Sequence, residues 1–168
     1  VITVVRNREK SIGCAIKSLN SQDYENVEHI IIDGASTDGT LDIINTLRSP
    51  DSVLISEIDE GIYDALNKGI GLSTGEIIGV LHSDDSYADS KVLTTVMNEF
   101  EKSNLDAVYG DVNFINYHGS VVRHYSSHRF CKEKIGCGEM MAHTALFLKK
   151  NIFIDHLSYN YRSAIIQL

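Results

Sequence analysis

Tryptophan is absent, proline occurs once, at Pro50, and cysteine appears only three times in 168 residues. An odd and sparse set, Cys14, Cys131 and Cys137, is no disulfide framework and suits a reducing compartment, so a cytoplasmic setting is expected. Long apolar runs are missing too. The longest, such as residues 77–81, fall far short of the roughly 20 needed to cross a bilayer, and no signal-peptide pattern is present. Basic charge is scarce: 15 Lys and Arg stand against 23 Asp and Glu, a formal net charge of −8. With no basic face to neutralise many phosphates, general nucleic-acid binding is excluded. A nucleotide ligand is not, because a divalent cation can bridge protein carboxylates and a diphosphate.

What is present is an ordinary globular composition, 43% apolar and 23% charged, in a length that suits one domain over residues 1–168. Residues 1–5 and 27–32 are unbroken β-branched and apolar runs, the pattern of strands buried on both faces. Shorter strands are expected over 53–56 and 76–81. Helical spacing of apolar residues marks 9–20, 41–47, 62–72 and 90–102. Strict alternation of strand and helix calls for a doubly wound, mostly parallel α/β sheet with right-handed crossovers. The pattern then changes. Residues 107–116 and 121–125 read as two strands around a turn at His118-Gly119, a mixed C-terminal extension. Residues 144–148 suit a further strand, and 151–168 carry little signal. Val1 lies inside the first strand pattern, which suggests a chain whose natural start is missing.

In open α/β sheets, ligands bind beyond the carboxyl ends of the strands. Polar residues gather there: Arg6 and Asn7, Asp33, then Ser83, Asp84 and Asp85. Adjacent Asp84 and Asp85 repel each other and gain nothing from packing, whereas a hard cation such as Mn²⁺ or Mg²⁺ would relieve them. Helix capping is the competing account for either one. Asp33 is placed to accept a hydrogen bond from a base N–H, while Asp38 and Thr40 are explained by capping. A helix opening near Gly61 aims backbone amides at the same edge, with Asp64, Asn67 and Lys68 following. His128, Cys131, Cys137 and His143 form a weak zinc-like cluster whose C-x5-C spacing is looser than common structural sites.

Five segments occur in order: Ile2-Thr3-Val4-Val5-Arg6-Asn7; Ile30-Ile31-Ile32-Asp33-Gly34-Ala35-Ser36-Thr37-Asp38-Gly39-Thr40; Asp59-Glu60-Gly61-Ile62-Tyr63-Asp64-Ala65-Leu66-Asn67-Lys68-Gly69-Ile70; Thr74-Gly75-Glu76; and His82-Ser83-Asp84-Asp85. Together they resemble the inverting family 2 glycosyltransferases of the GT-A fold, of the bacterial polysaccharide-building type. The resemblance implies a nucleoside diphosphate sugar donor, a UDP-sugar foremost, and a carbohydrate or lipid-linked acceptor. It implies residues 1–102 as the nucleotide-sugar half and 103–168 as a partial, truncated acceptor half. Any association with the inner membrane face would come through parts outside this sequence. Thr3, Val5 and Glu9 would line the nucleoside pocket, Asp33 would hold the base, and Asp64, Asn67 and Ser83 would assist. Asp84 and Asp85 would form the metal-binding acidic element, Asp85 being the principal ligand. In such enzymes a carboxylate base deprotonates the acceptor hydroxyl while the metal stabilises the departing diphosphate. Two departures stand out. An Arg common two residues after Asp64 is Leu66 here, and the acidic motif expected near 162–168 has no carboxylate. Glu139, Asp111 and Asp155 remain as base candidates. A non-catalytic nucleotide-sugar-binding module on the same fold is the alternative.

Overall fold

A computed structural model describes residues 1–129 and 142–156, with the side chains of 129 and 154–156 left aside. The chain runs β1 (Ile2–Val5), α1 (Ile12–Asn20), β2 (Ile30–Asp33), α2 (Thr40–Leu47), β3 (Val53–Ser56), α3 (Ile62–Leu72) and β4 (Ile77–Gly79). It continues through α4 (Val92–Lys102), β5 (Ala107–Tyr109), β6 (Val112–Ile115), β7 (Val121–Tyr125), β8 (Leu146–Lys149) and α5 (Lys150–His156). The alternation expected for a doubly wound sheet holds through α4.

Strands β1, β2 and β3 pair in parallel, Val4 opposite Ile32 and Ile32 opposite Ile55. Strand β8 runs antiparallel between β4 and β5. A parallel bridge from Ile2 to Val80, with Leu81 N–H donating to the Ile2 carbonyl at 3.0 Å, joins the two sheets at β1 and β4. The strand order is therefore 3-2-1-4-8-5. The mixed extension is real, but its composition differs from expectation. The 107–116 run is broken at Gly110: β5 joins the main sheet, whereas β6 pairs with β7 as a separate hairpin. Periodicity cannot register such a break, because a strand pattern continues across it while the partner changes.

The sheet is covered on both faces, as its unbroken apolar strands require. Ile2, Val4, Ile30 and Ile32 pack on Ala65, Leu66 and Ile70 of α3 and Phe153 of α5. On the other face Val5 and Ile31 pack on Ile12, Ile16 and Ile44 of α1 and α2. Beside them Ala15, Leu19, Leu93, Val96 and Phe147 close the α1–α4 seam. The alternating parity of β1 decides which residue meets which layer.

Helix α3 lies so close to β1 that a Cβ on Gly69 would sit 2.5 Å from Cγ2 of Ile2, which is fully buried. Gly69→Ala gains about 1 kcal/mol of helix propensity, but overpacking a core costs typically 1–3 kcal/mol. The expected outcome is a net loss of about 1 kcal/mol, read as a lower urea midpoint at unchanged m-value. An unchanged or higher midpoint would show that the α3–β1 contact yields.

Candidate active site

The loops after β1 and β2 are tied to each other by backbone donors meeting side-chain acceptors. Asn7 N–H donates to Ser36 Oγ at 2.8 Å, Arg8 N–H to Thr40 Oγ1 at 2.8 Å, and Glu9 N–H to Asp38 Oδ2 at 3.2 Å. In return Thr37 N–H donates to Asn7 Oδ1 at 2.8 Å and Gly39 N–H to Glu9 Oε2 at 3.0 Å. Asp38 also accepts from the Thr40 N–H and hydroxyl; chiefly the hydroxyl bond holds its carboxyl below the usual range. Two non-glycine residues here, Asn7 at φ 52° and Ala35 at φ 55°, occupy the left-handed region. Such backbone is disfavoured and persists only where its surroundings impose it.

Asp33 sits beneath this lattice and is fully buried. Its Oδ2 accepts from Ser36 N–H at 3.0 Å and Ser56 Oγ at 2.7 Å, and its Oδ1 from Ser36 Oγ at 2.5 Å. A carboxyl group removed from water needs such donors. The reason for Gly34 is local: a Cβ there would meet Asp59 Oδ2 at 2.5 Å and Arg6 Cδ at 3.3 Å. Asp59 is thus drawn to the same strand ends, where it also accepts from Gly61 N–H at 3.0 Å. In the sequence Asp59 only opens the third family-like segment, and nothing in its spacing distinguishes it.

Asp84 and Asp85 follow β4, next to buried Ser83. Both line a cavity of about 500 Å³ whose remaining walls come from β6, β7 and Ala142–His143–Thr144. Asp84 is exposed and Asp85 half-buried. Burial first, then the adjacent Asp84 charge, push the Asp85 carboxyl above its usual range, partly offset by His143. His82 and His143 meet edge to face, ring centroids 5.4 Å apart. Burial and His143 hold His82 below its ordinary value. His143 lies in the cleft wall; the cysteines of the zinc-like cluster, 131 and 137, lie outside the described residues. The histidine came into this site through β8, a contact 58 residues or more away in sequence from Asp84 and Asp85. Among the described residues no group of three His, Cys, Asp or Glu could hold a metal, and Asp84 and Asp85 are the two carboxylates that line this cavity. A smaller cavity, about 250 Å³, lies at the opposite strand ends beside Val1, Glu28 and Glu76. Glu28 there is bonded to the Thr74 N–H and hydroxyl.

Several expected residues stand elsewhere. Thr3 is fully buried with its hydroxyl 3.0 Å from His29 Nε2, and Val5 packs into the α1–α2 layer. Both face the core instead of a nucleoside, because odd positions of β1 point toward α1 and α2. Glu9 reaches the strand-end edge but braces Gly39. Asp64 turns back on its own helix, accepting from Glu60 N–H and pairing with Lys68, which also bridges to Glu57. Asn67 is half-buried on the same helix. Leu66, where an Arg was expected, points under β1 into the core. Asp111 is absent from the cavity lining. Its carboxyl accepts from the Ser127 N–H and hydroxyl and stands 3.3 Å from His124, and the Ser127 bonds hold it below its usual range. That makes it a staple of the hairpin base and a poor proton acceptor. Glu139 lies outside the described residues, as does the side chain of Asp155.

A sequence model described as glycosyl transferase family 2 matches residues 1–168. A PGL/p-HBAD biosynthesis glycosyltransferase of Mycobacterium bovis is 29% identical over 178 aligned residues, covering 99% of this chain and 64% of its own length. The chain thus spans under two thirds of that relative. Among solved structures, S. aureus TarS 1-349 in complex with UDP-GlcNAc superposes with a TM-score of 0.76 at 19% identity, covering 92% of this chain and 46% of that one. Glucosyl-3-phosphoglycerate synthase from Mycobacterium tuberculosis, in complex with Mn²⁺, UDP and glucosyl-3-phosphoglycerate, gives 0.65 at 14% identity, covering 93% and 58%. These likenesses establish the GT-A fold.

Ala35 holds left-handed backbone at φ 55°, so Ala35→Gly relieves about 1 kcal/mol of strain. The variant is expected to be more stable by up to about 1 kcal/mol after the added entropy of the unfolded glycine. Chemical denaturation checks this, and a destabilised variant would mean that the β2–α2 loop is not strained.

Proposed function

The chain belongs to glycosyl transferase family 2, and from that premise we propose that it forms the donor-binding part of a metal-dependent glycosyltransferase. It takes a nucleoside diphosphate sugar, a UDP-sugar foremost, and transfers the sugar with inversion to a carbohydrate or lipid-linked acceptor. One observation carries this reading: Asp84 and Asp85 stand side by side on a cavity at the carboxyl ends of the sheet, Asp85 destabilised by burial and by its neighbour. Oxygen donors under mutual repulsion suit a hard divalent cation, Mn²⁺ or Mg²⁺, whose other ligands would be diphosphate oxygens and water. The bound cation would supply charge neutralisation for the departing diphosphate.

The remaining roles fall to the chain. The interlocked β1–α1 and β2–α2 loops hold the nucleoside end, with Asp33 as acceptor for a base N–H. Its Oδ1 accepts from the Ser36 hydroxyl, which itself accepts from Asn7 N–H, so the Ser36 loop must shift for a base N–H to reach this buried carboxyl. Residues 1–102 form this donor half, and 103–156 bring β8, His143 and the hairpin to the acceptor side. In the described part no helix is long and apolar enough to cross a membrane.

Two measurements test the reading. Calorimetric titration of UDP is expected to show binding with Mn²⁺, none with EDTA, and loss in Asp85→Asn. Metal-independent binding untouched by the variant would overturn it. Thermal melting gives an independent sign. A carboxyl raised in the folded state is destabilising once ionised, and that cost is present at neutral pH and removed as pH falls toward the unfolded value. Metal-free Asp85→Asn should therefore melt above the parent at neutral pH, while Mn²⁺ should raise the melting temperature of the parent alone.

A further inference from the structure

The wall opposite Asp84 and Asp85 is one face of the β6–β7 hairpin. Val112 pairs with Tyr125 and Phe114 with Arg123, and all four line the 500 Å³ cavity. Cross-strand pairs two residues apart share a face, so this is a continuous surface of one aliphatic and two aromatic side chains bearing one guanidinium. On the other face His124 is bonded to Asn113 at 2.8 Å and faces Asp111, and Asn113 and Ile115 border the cavity as well. Phe114 remains 48% exposed although its ring adjoins the cavity. The Arg123 guanidinium lies over that ring, 5.4 Å from its centroid, and among the described residues it makes no ion pair. A cation–π contact orients the group without neutralising it.

Resting on the donor reading above, which assigns the Asp84–Asp85 side to metal and diphosphate, we propose that this hairpin face is the acceptor platform. It selects acceptors that join a flat apolar surface, an aryl ring or the apolar face of a sugar, to an anionic group, a phosphate or carboxylate. The flat surface stacks on Phe114 and Tyr125. The anion meets Arg123, whose planar fork binds such oxygens in pairs. An uncharged acceptor would leave Arg123 facing only the two carboxylates across the cavity, which the metal and diphosphate already occupy in that reading.

Phenyl phosphate unites both features in one probe; phenyl β-glucoside and inorganic phosphate carry one each. Dissociation constants come from NMR titration of the full chain, beside UDP titration with Mn²⁺. Phenyl phosphate is expected to bind about tenfold more tightly than either control, a charge-assisted bond being of that order. Phe114→Ala and Arg123→Gln should each remove most of this advantage, and Arg123→Lys should restore part of it. All three leave UDP–Mn²⁺ binding unchanged. Equal affinity for the three probes, insensitivity to the variants, or displacement of phenyl phosphate by UDP–Mn²⁺ overturns the platform. Failure of UDP to bind the parent strikes the donor reading alone, since the probe series still reports on Phe114 and Arg123.

Discussion

The structure depends on how the first two βα loops are joined. Five hydrogen bonds from a backbone N–H to a side-chain oxygen cross between the Arg6–Glu9 and Ser36–Thr40 segments, and the Thr37 hydroxyl adds a sixth to Asn7 Oδ1. Loop amides have no ladder partner, and here each loop satisfies the other's. The lattice imposes left-handed backbone at Asn7 and Ala35 and closes over Asp33, a carboxyl that folding has taken wholly out of water. Loosening any one tie would release strain and expose the carboxyl together. That coupling makes the strand-end edge a rigid platform rather than a pair of independent loops, as a site on a doubly wound sheet requires.

The second constraint is electrostatic. Asp84 and Asp85 are held adjacent where burial already disfavours charge, and the acidic chain has little to set against them. His143 lies near but is half-committed to His82. A fold that tolerates this arrangement gives up stability at one point, the place where the proposed function puts a cation. The hairpin opposite has the reverse character, apolar with one cation held on a ring. The cavity is thus polarised between a carboxylate wall and an aromatic wall.

Much of this was legible in order along the chain. The β-branched runs announced buried parallel strands, and the polar residues closing them marked the ligand edge. Asp33, Asp84 and Asp85 drew notice because carboxyl groups at strand ends have no packing rationale, and the structure places all three at that edge. What misled was side-chain direction. Thr3 and Val5 stand in the right strand, yet the parity of β1 turns them into the α1–α2 layer, and a helix-facing strand residue looks the same in sequence as a cleft-facing one. Asp111 fell at a strand boundary as a catalytic group would, but Ser127 and His124 consume its carboxyl.

The order of strands and helices, the coverage of the sheet on both faces and the edge where chemistry collects follow from local properties: periodicity, branching, charge and turn chemistry over short windows. Long-range contact decided the rest. Only the insertion of β8 between β4 and β5 carries His143 to Asp85, only the break at Gly110 frees β6 to form a hairpin with β7, and only the close approach of Asp59 to Gly34 brings a further carboxyl to the site. β8 with β4 and Asp59 with Gly34 are far apart in sequence, while β6 and β7 are neighbours whose separation from the main sheet no local pattern marks. Short-window patterns report which face of an element is apolar, whereas the identity of the neighbour on that face is set by how the layers stack.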